Sequence, residues 1–402
     1  MLLSLFLLLL AQDVAPAINN VAPDLPAAIQ LAQEGRDAEA LAALQKITAA
    51  NPNDHLARLW VANVHSRMGH PDLAATVYHS IVLEDPRNVD AWIGLGNALL
   101  QQDEIIDGLD ALKHAEQLAP QNLNVVAALA SGYQLAGEDT QSVAYHQRLA
   151  TISPTPANLL SLQNARREYS NRFEGQTYDE QFNGTTPSTK GADLAVNYRI
   201  FETLRALGRV QVQTKFGKRE HREGGGVEWR WTPWGTFTGQ VLVGGSNRVL
   251  PQHDYLGRVD YGYHRATYTG QLRYFDFFGA NVTMLSPGIT VAWTPRWTFG
   301  LRYALTSTST STTSRVRGHT LDLRAAHEIV PRVWARGGYV RGVENFENFS
   351  IDRIGDFRAK TANAAVQVVF PSLTSIVGSY DYQWRKNGVR MGRIDLSVVQ
   401  AF

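Results

Sequence analysis

The sequence predicts two domains of different class, an all-α repeat solenoid followed by an antiparallel transmembrane β-barrel of about 14 strands, with 12 to 16 as the range. Three observations carry this expectation. Prolines recur every 34 residues in the first half. Apolar and polar residues alternate with a period of two in the second half. The joints between the alternating stretches are long and short in turn, as in barrels that cross a membrane with short turns on one side and long loops on the other.

Bulk composition narrows the function classes. The 402 residues suffice for two or three domains. Lys and Arg (38) balance Asp and Glu (37), for a net charge of +1, which does not suit a nucleic-acid-binding protein. There is no cysteine. That excludes a disulfide framework, a Cys-ligated zinc, an iron–sulfur centre and a lipid-modified N-terminal cysteine. The opening MLLSLFLLLLAQDVAPA reads as a secretory leader over residues 1–17, with cleavage after Ala11 or Ala17. Its apolar run, 2–11, is too short to span a bilayer as a helix. A short buried helix is the alternative reading.

The prolines of the first half are Pro52, Pro86, Pro120 and Pro154, and Gly35, Gly69 and Gly137 keep the same clock, with Asp103 in the remaining slot. The third period carries Trp92, Leu95, Gly96, Leu99, Gly108, Leu112, Ala115 and Pro120. Ala40 and Ala74 stand where two helices approach closely. On these residues, 21–154 resembles four tetratricopeptide (TPR) units, the first degenerate, and 156–168 reads as a capping helix. The domain is therefore placed at 21–168. No unit buries its apolar face alone, so units stack and leave a concave surface. In the TPR register Asn63, Asn97 and Ser131 lie equivalently along that groove. The resemblance implies that asparagines at this slot hold a peptide backbone or a terminal carboxylate; solvated polar surface is the alternative. His55, His65, His70 and His79 lack paired ligand spacing, so no metal is expected.

From about Tyr169 the period is two. In WTFGLRYALT, Trp297, Phe299, Leu301, Tyr303 and Leu305 share one face, and Thr298, Gly300, Arg302, Ala304 and Thr306 the other. The same split recurs at 194–200, 210–216, 227–231, 255–264, 268–276, 321–328 and 374–385. A soluble sandwich buries the aromatic face, whereas an outer-membrane barrel turns it to lipid. The joints decide for the barrel. Those at 232–235, 264–265, 294–296, 328–331 and 370–373 are short, and KNGV (386–389) is small. Those at 217–225, 244–254, 276–287, 307–317 and 342–356 read as long loops. WTPW and WTPRW place tryptophans at two short turns, as in an interfacial girdle. The barrel is placed at 169–402.

The second half resembles the YaiO-like outer-membrane β-barrel family, on GGGVEWRWTPWG, GGYVRGVENFENFSIDRIGDF and YDYQWRKNGVRMGRIDLSVVQAF. With its leader and repeats, the whole chain looks like the TPR-linked outer-membrane proteins of Gram-negative bacteria. The resemblance implies an outer-membrane location, with the repeats in the periplasm. By architectural analogy it implies a place in envelope assembly or polysaccharide export.

Alternation directs a set of charges into the lumen: Arg199, Glu228, Arg230, Arg258, Asp260, Arg273, Arg302, Asp322, Arg324, Asp381, Arg385, Arg393 and Asp395. Glu228/Arg230, Arg258/Asp260, Asp322/Arg324 and Arg393/Asp395 are pairs at spacing two, expected as ion pairs. The surplus arginine could instead bias the lumen toward anions. GGG (224–226) reads as a flexible loop. His264, His319 and His327 come with no nucleophile motif, so catalysis is not expected. Phe402 ends a strand that must pair with the first one, near 169–182, and looks like the address read by the barrel assembly machinery.

The expected function is non-enzymatic and cofactor-free: an outer-membrane barrel whose periplasmic TPR groove recruits a protein or peptide, in envelope assembly or saccharide export. The alternatives are a passive anion or small-solute channel and a lipid-modifying enzyme. Expected partners are outer-membrane lipid, the barrel assembly machinery, the periplasmic partner and an anionic polysaccharide, but no nucleic acid.

Overall fold

Each 34-residue period folds as two helices, because its glycine and proline sit where a helix must stop. The computed structural model describes residues 24–310, 316–342, 359–385 and 388–402. The leader expected at 1–17, with Ala11 and Ala17, lies outside them, as do 311–315 of the loop expected at 307–317, whose other residues are strand, and 343–356 of the loop expected at 342–356. Among the described residues there are nine helices: α1 (Leu25–Gln33), α2 (Asp37–Ala50), α3 (His55–Arg67), α4 (Pro71–Glu84), α5 (Val89–Gln101), α6 (Ile105–Leu118), α7 (Leu123–Ala136), α8 (Asp139–Ile152) and α9 (Pro156–Tyr169). Gly35, Gly69 and Gly137 take left-handed φ values of 79°, 81° and 72°, and Asp103 follows at 63°. The clock residue therefore turns the chain between the helices of a pair, a conformation cheapest for glycine. The prolines fall just beyond α2, α4, α6 and α8, where no helical N–H is needed. Asp54 and Asn88 cap α3 and α5 by accepting from Ala57 N and Ala91 N, each at 3.0 Å.

The chain divides into two compact units, Met1–Gly132 and Tyr133–Phe402. In the first, Leu59, Ala62, Ala74, Tyr78, Ile81 and Leu95 form one buried cluster, and Ala28, Ala40, Leu44 and Val64 another. Both span successive helix pairs, as a repeat stack requires. The expected boundary at 168/169 follows the change of hydropathy period. Compactness divides the chain earlier, within α7, because α8 and α9 are bonded to the barrel.

The second unit contains fourteen described strands: β1 (Arg172–Phe182), β2 (Thr189–Phe201), β3 (Leu204–Lys215), β4 (Lys218–Arg230), β5 (Gly235–Val243), β6 (His253–Tyr263), β7 (Ala266–Phe277), β8 (Ala280–Thr294), β9 (Trp297–Thr310), β10 (Val316–Val330), β11 (Val333–Arg341), β12 (Ala359–Val369), β13 (Thr374–Arg385) and β14 (Arg390–Ala401). They close into an antiparallel barrel of sequential neighbours. Closure is made by β1 on β14, from Arg172↔Ala401 to Phe182↔Met391. Phe402 continues the ladder through Asn171, with bonds of 3.0 Å in both directions.

Two expected long loops are two-residue turns. β3 and β4 are joined by Phe216–Gly217, both at positive φ (53° and 74°), as a tight hairpin whose twist matches its strands requires. β7 and β8 are joined by Phe278–Gly279. Consequently GGG (224–226) is no loop but the middle of β4. The strands run farther than hydropathy alternation does, because Lys218 to Glu223 are polar or charged on both faces. The joint at 244–252 is a true loop.

Exposure alternates along the strands and is inverted relative to a soluble domain. Outward side chains are apolar and open, as at Tyr198 (54%), Leu272 (55%), Trp293 (69%) and Ile394 (61%). Inward charges toward the loop side are sealed, as at Arg222 (0%), Lys215 (2%), Glu180 (2%) and Arg393 (1%). A continuous apolar exterior of this extent is foreign to water-soluble monomers.

Candidate functional site

In the first unit, α3 touches both α1 and α5, so the leading helices of successive pairs form one row. Asn63 (α3) and Asn97 (α5) lie on helices of that row, and Ser131 is on α7. Burial raises the Tyr78 phenol above its ordinary pKa, with the charge of Asp90 adding to the shift. The phenol therefore stays protonated, and its hydroxyl donates to Asn63 Oδ1 at 2.7 Å. Gly94 makes room for that ring, since a Cβ there would stand 2.3 Å from it. Asn97 and Ser131 make no side-chain hydrogen bond among the described residues, so their polar groups are available to a ligand.

The lumen of the second unit is filled on the loop side. Phe275, Phe277, Val282, Met284 and Ala304 form a buried apolar cluster on inward positions. Asp254 is gripped by two buried guanidiniums, Arg222 at 2.7 Å and Arg273 at 2.6 Å. Arg393 pairs with Asp395 at 2.6 Å and Glu180 at 3.1 Å, and lies 4.0 Å over the Tyr178 ring. Lys215 reaches Glu180 at 3.5 Å. The loop 244–252 is pinned by Glu220, whose carboxylate accepts from Arg248 N (2.8 Å), Val249 N (2.9 Å) and Leu250 N (2.8 Å). Val249 and Leu250 are buried as a result. Toward the short turns the lumen widens into a cavity of about 810 Å³, lined by Arg302, Asp322, Arg324, Trp334, Asp381 and Arg393 among others.

All thirteen charges assigned to the lumen from the sequence face inward. Three same-strand pairs form: Arg258–Asp260 (2.6 Å), Arg324–Asp322 (2.8 Å) and Arg393–Asp395 (2.6 Å). Glu228 and Arg230 do not pair with each other. Glu228 lies 3.8 Å from Arg205, and Arg230 turns to Asp139 at 3.2 Å, where a buried carboxylate outcompetes its strand neighbour. Arg385 donates to Gln383 at 2.7 Å and lies over Phe182. Among the described residues no group of three His, Asp or Glu side chains could hold a metal.

The hairpin α8–α9 is fastened to the short-turn end of the barrel. Asp139, the first residue of α8, takes Arg199 at 2.7 Å as well as Arg230. The last carbonyls of α9 are capped by barrel cations: Arg199 donates to Glu168 O and Tyr169 O, each at 2.9 Å, and Arg205 to Glu168 O at 2.6 Å and Ser170 O at 3.0 Å. Cations at a helix C-terminus satisfy its open carbonyls and oppose its dipole. Farther back, Gln163 accepts from Arg332 at 2.8 Å and donates to Pro371 O. α9 thus bonds to β2 and β3 and also to the β10–β11 and β12–β13 turns. Loss of surrounding water raises the Glu168 carboxyl above its ordinary 4.5. Its contribution to stability is therefore lost as pH rises through the folded-state value.

His146 on α8 is buried, and neither ring nitrogen has a hydrogen-bond partner among the described residues. Burial lowers its pKa below 6.5. A depressed pKa contributes stability above the unfolded value and loses it as pH falls. Melting between pH 7.5 and 5 is expected to show a drop that His146→Leu reduces. An equal drop in the variant contradicts this account.

Sequence reasoning missed Arg222, Asp254, Glu180, Asp139 and the apolar lumen cluster. A signal existed for the last: YFDFF (274–278) carries aromatic rings on both faces, as a strand packed inside and out does.

A family profile described as tetratricopeptide repeat matches residues 62–122. The peroxisomal targeting signal receptor of Komagataella phaffii is 35% identical over 75 residues, covering 19% of this chain and 13% of that protein. The receptor of Saccharomyces cerevisiae is 36% identical over 66 residues, covering 16% of this chain and 11% of that protein. The chain thus spans only a small part of the curated relatives it matches. A solved TPR protein of Thermus thermophilus is 22% identical, covers 35% of this chain and 78% of its own, and superposes with a TM-score of 0.33. Pseudomonas aeruginosa pilF is 20% identical, covers 36% and 67%, and gives 0.34.

Proposed function

We propose that this is an outer-membrane β-barrel of a Gram-negative bacterium, allied to the YaiO-like family, that holds a TPR domain in the periplasm. The TPR row recruits a protein partner for envelope assembly or saccharide export, without catalysis. The observation that carries this reading is the inversion of the barrel, apolar and aromatic outside, charged and filled inside. TPR repeats in general bind protein partners. The curated relatives are, by name, receptors for a targeting signal, which supports recruitment by this part of the chain.

The filled loop side favours anchoring over passage. The native chain is expected in the outer-membrane fraction, with a folded band that shifts on heating. In planar bilayers it is expected to be silent. Steady anion-selective conductance instead supports the channel alternative. A photoreactive residue at Asn97 is expected to crosslink one periplasmic protein that the same group at Asp110, exposed on α6, does not. Identical products from both positions overturn recruitment by the row.

A further inference from the structure

The short-turn rim is crowded with arginine, and most of it is satisfied. Arg199, Arg205 and Arg230 each hold several carbonyl or carboxylate partners. Arg167 (α9) and Arg172 (the first residue of β1) differ. They line one cavity of about 410 Å³, yet neither side chain makes a hydrogen bond or ion pair among the described residues. Arg167 also lies within electrostatic reach of Arg336 on the inner wall. Burial, and then the charge of Arg172, lowers the pKa of Arg167, and Glu168 opposes this without reversing it. Glu168, the carboxylate in the lining, accepts from Gln134 at 3.2 Å and acts electrostatically on both guanidiniums without an ion-pair contact to either. Two half-buried guanidiniums set against the single carboxylate of Glu168 leave the cavity net positive, and the natural complement of their open forks is an oxyanion, since the planar fork matches phosphate bidentately.

We propose that the cavity under α9 binds a phosphate-class oxyanion between Arg167 and Arg172. Gln134 and Asn164 supply amide donors on its wall, and Leu373 and Val399 an apolar side for the organic part of the ligand. The phosphate could belong to a lipid headgroup or to a soluble phosphorylated compound. The cavity lies within one compact unit, so the proposal does not rest on the recruitment reading.

The test uses the full chain in zwitterionic detergent. Melting is followed against inorganic phosphate, glycerol 3-phosphate and phosphatidylglycerol in mixed micelles, with chloride at matched ionic strength. The native chain is expected to gain several degrees saturably from at least one phosphate probe and not from chloride. R167Q/R172Q is expected to lose that gain while melting no lower than the native chain in phosphate-free buffer, because it sheds the mutual repulsion of the two guanidiniums. R166Q, which changes an exposed neighbour, is expected to keep the gain. A response to phosphatidylglycerol alone assigns the site to a headgroup, and one to glycerol 3-phosphate assigns it to a soluble ligand. Equal responses to phosphate and chloride, or an undiminished gain in the double variant, overturn the site.

Discussion

Asp254→Ala is expected to cost the barrel about 3–5 kcal/mol, the effect of breaking a sealed ionic triad. Asp254 is 2% exposed and is the shared anion of Arg222 (0%) and Arg273 (3%). Removing it leaves two guanidiniums sealed from water. Gln211, hydrogen-bonded to Arg222, is neutral and cannot replace it. The measurement is the urea midpoint of the folded barrel in lipid vesicles, at unchanged m-value. Asp260→Ala is the control. Its partner Arg258 is 40% exposed, and a solvated pair is worth under about 1 kcal/mol. Replacing Arg222, Asp254 and Arg273 together by Met, Leu and Met is expected to recover most of the loss, since a buried ionic triad is a poor source of stability beside apolar packing. Equal midpoints for the two single variants exclude the triad as a structural element.

The second large effect is expected at β4. A Cβ on Gly224 would lie 1.9 Å from Val241 O, and one on Gly226 would lie 2.1 Å from Gly239 O. Both obstacles are backbone atoms of the neighbouring strand, so no rotamer relieves them. Gly224→Ala and Gly226→Ala each require β4 and β5 to separate, at a cost of roughly 3 kcal/mol or more. Gly208→Ala, on β3 with nothing within 4 Å of its Cβ, is expected to be neutral. The fraction of heat-modifiable folded band after refolding reads the difference. Folding of both β4 variants at the native level would mean that strand approach at the glycines is not needed for closure.

These glycines show where sequence reasoning stops. GGG reads as a loop because glycine is depleted from ordinary strands. In β4 it is required by close backbone approach, which depends on a strand that begins at Gly235. Lys218 to Glu223 gave no apolar alternation, because both faces of that segment are polar. Period-two hydropathy reports only strand segments with one face on an apolar medium. The TPR row shows a partial reading. The register places Asn63, Asn97 and Ser131 alike, yet Asn63 has its oxygen committed to Tyr78, a helix-to-helix contact that spacing does not reveal.

Local chemistry, repeated along the chain, determined by itself the two domain classes, the left-handed turns at Gly35, Gly69 and Gly137, the order of the strands and the closure of the first strand on the last. Each is a short-range signal or follows from sequential antiparallel pairing. Tertiary structure alone decided that the loop side of the lumen is filled, that Asp139 on α8 rather than Glu228 holds Arg230, and that Arg167 and Arg172 share a cavity with the single carboxylate of Glu168. An ion pair such as Arg230–Asp139 joins groups far apart in sequence, and a side chain's charge does not state which partner it will meet. Burial makes that choice, because a charge withdrawn from water must take the nearest group able to satisfy it.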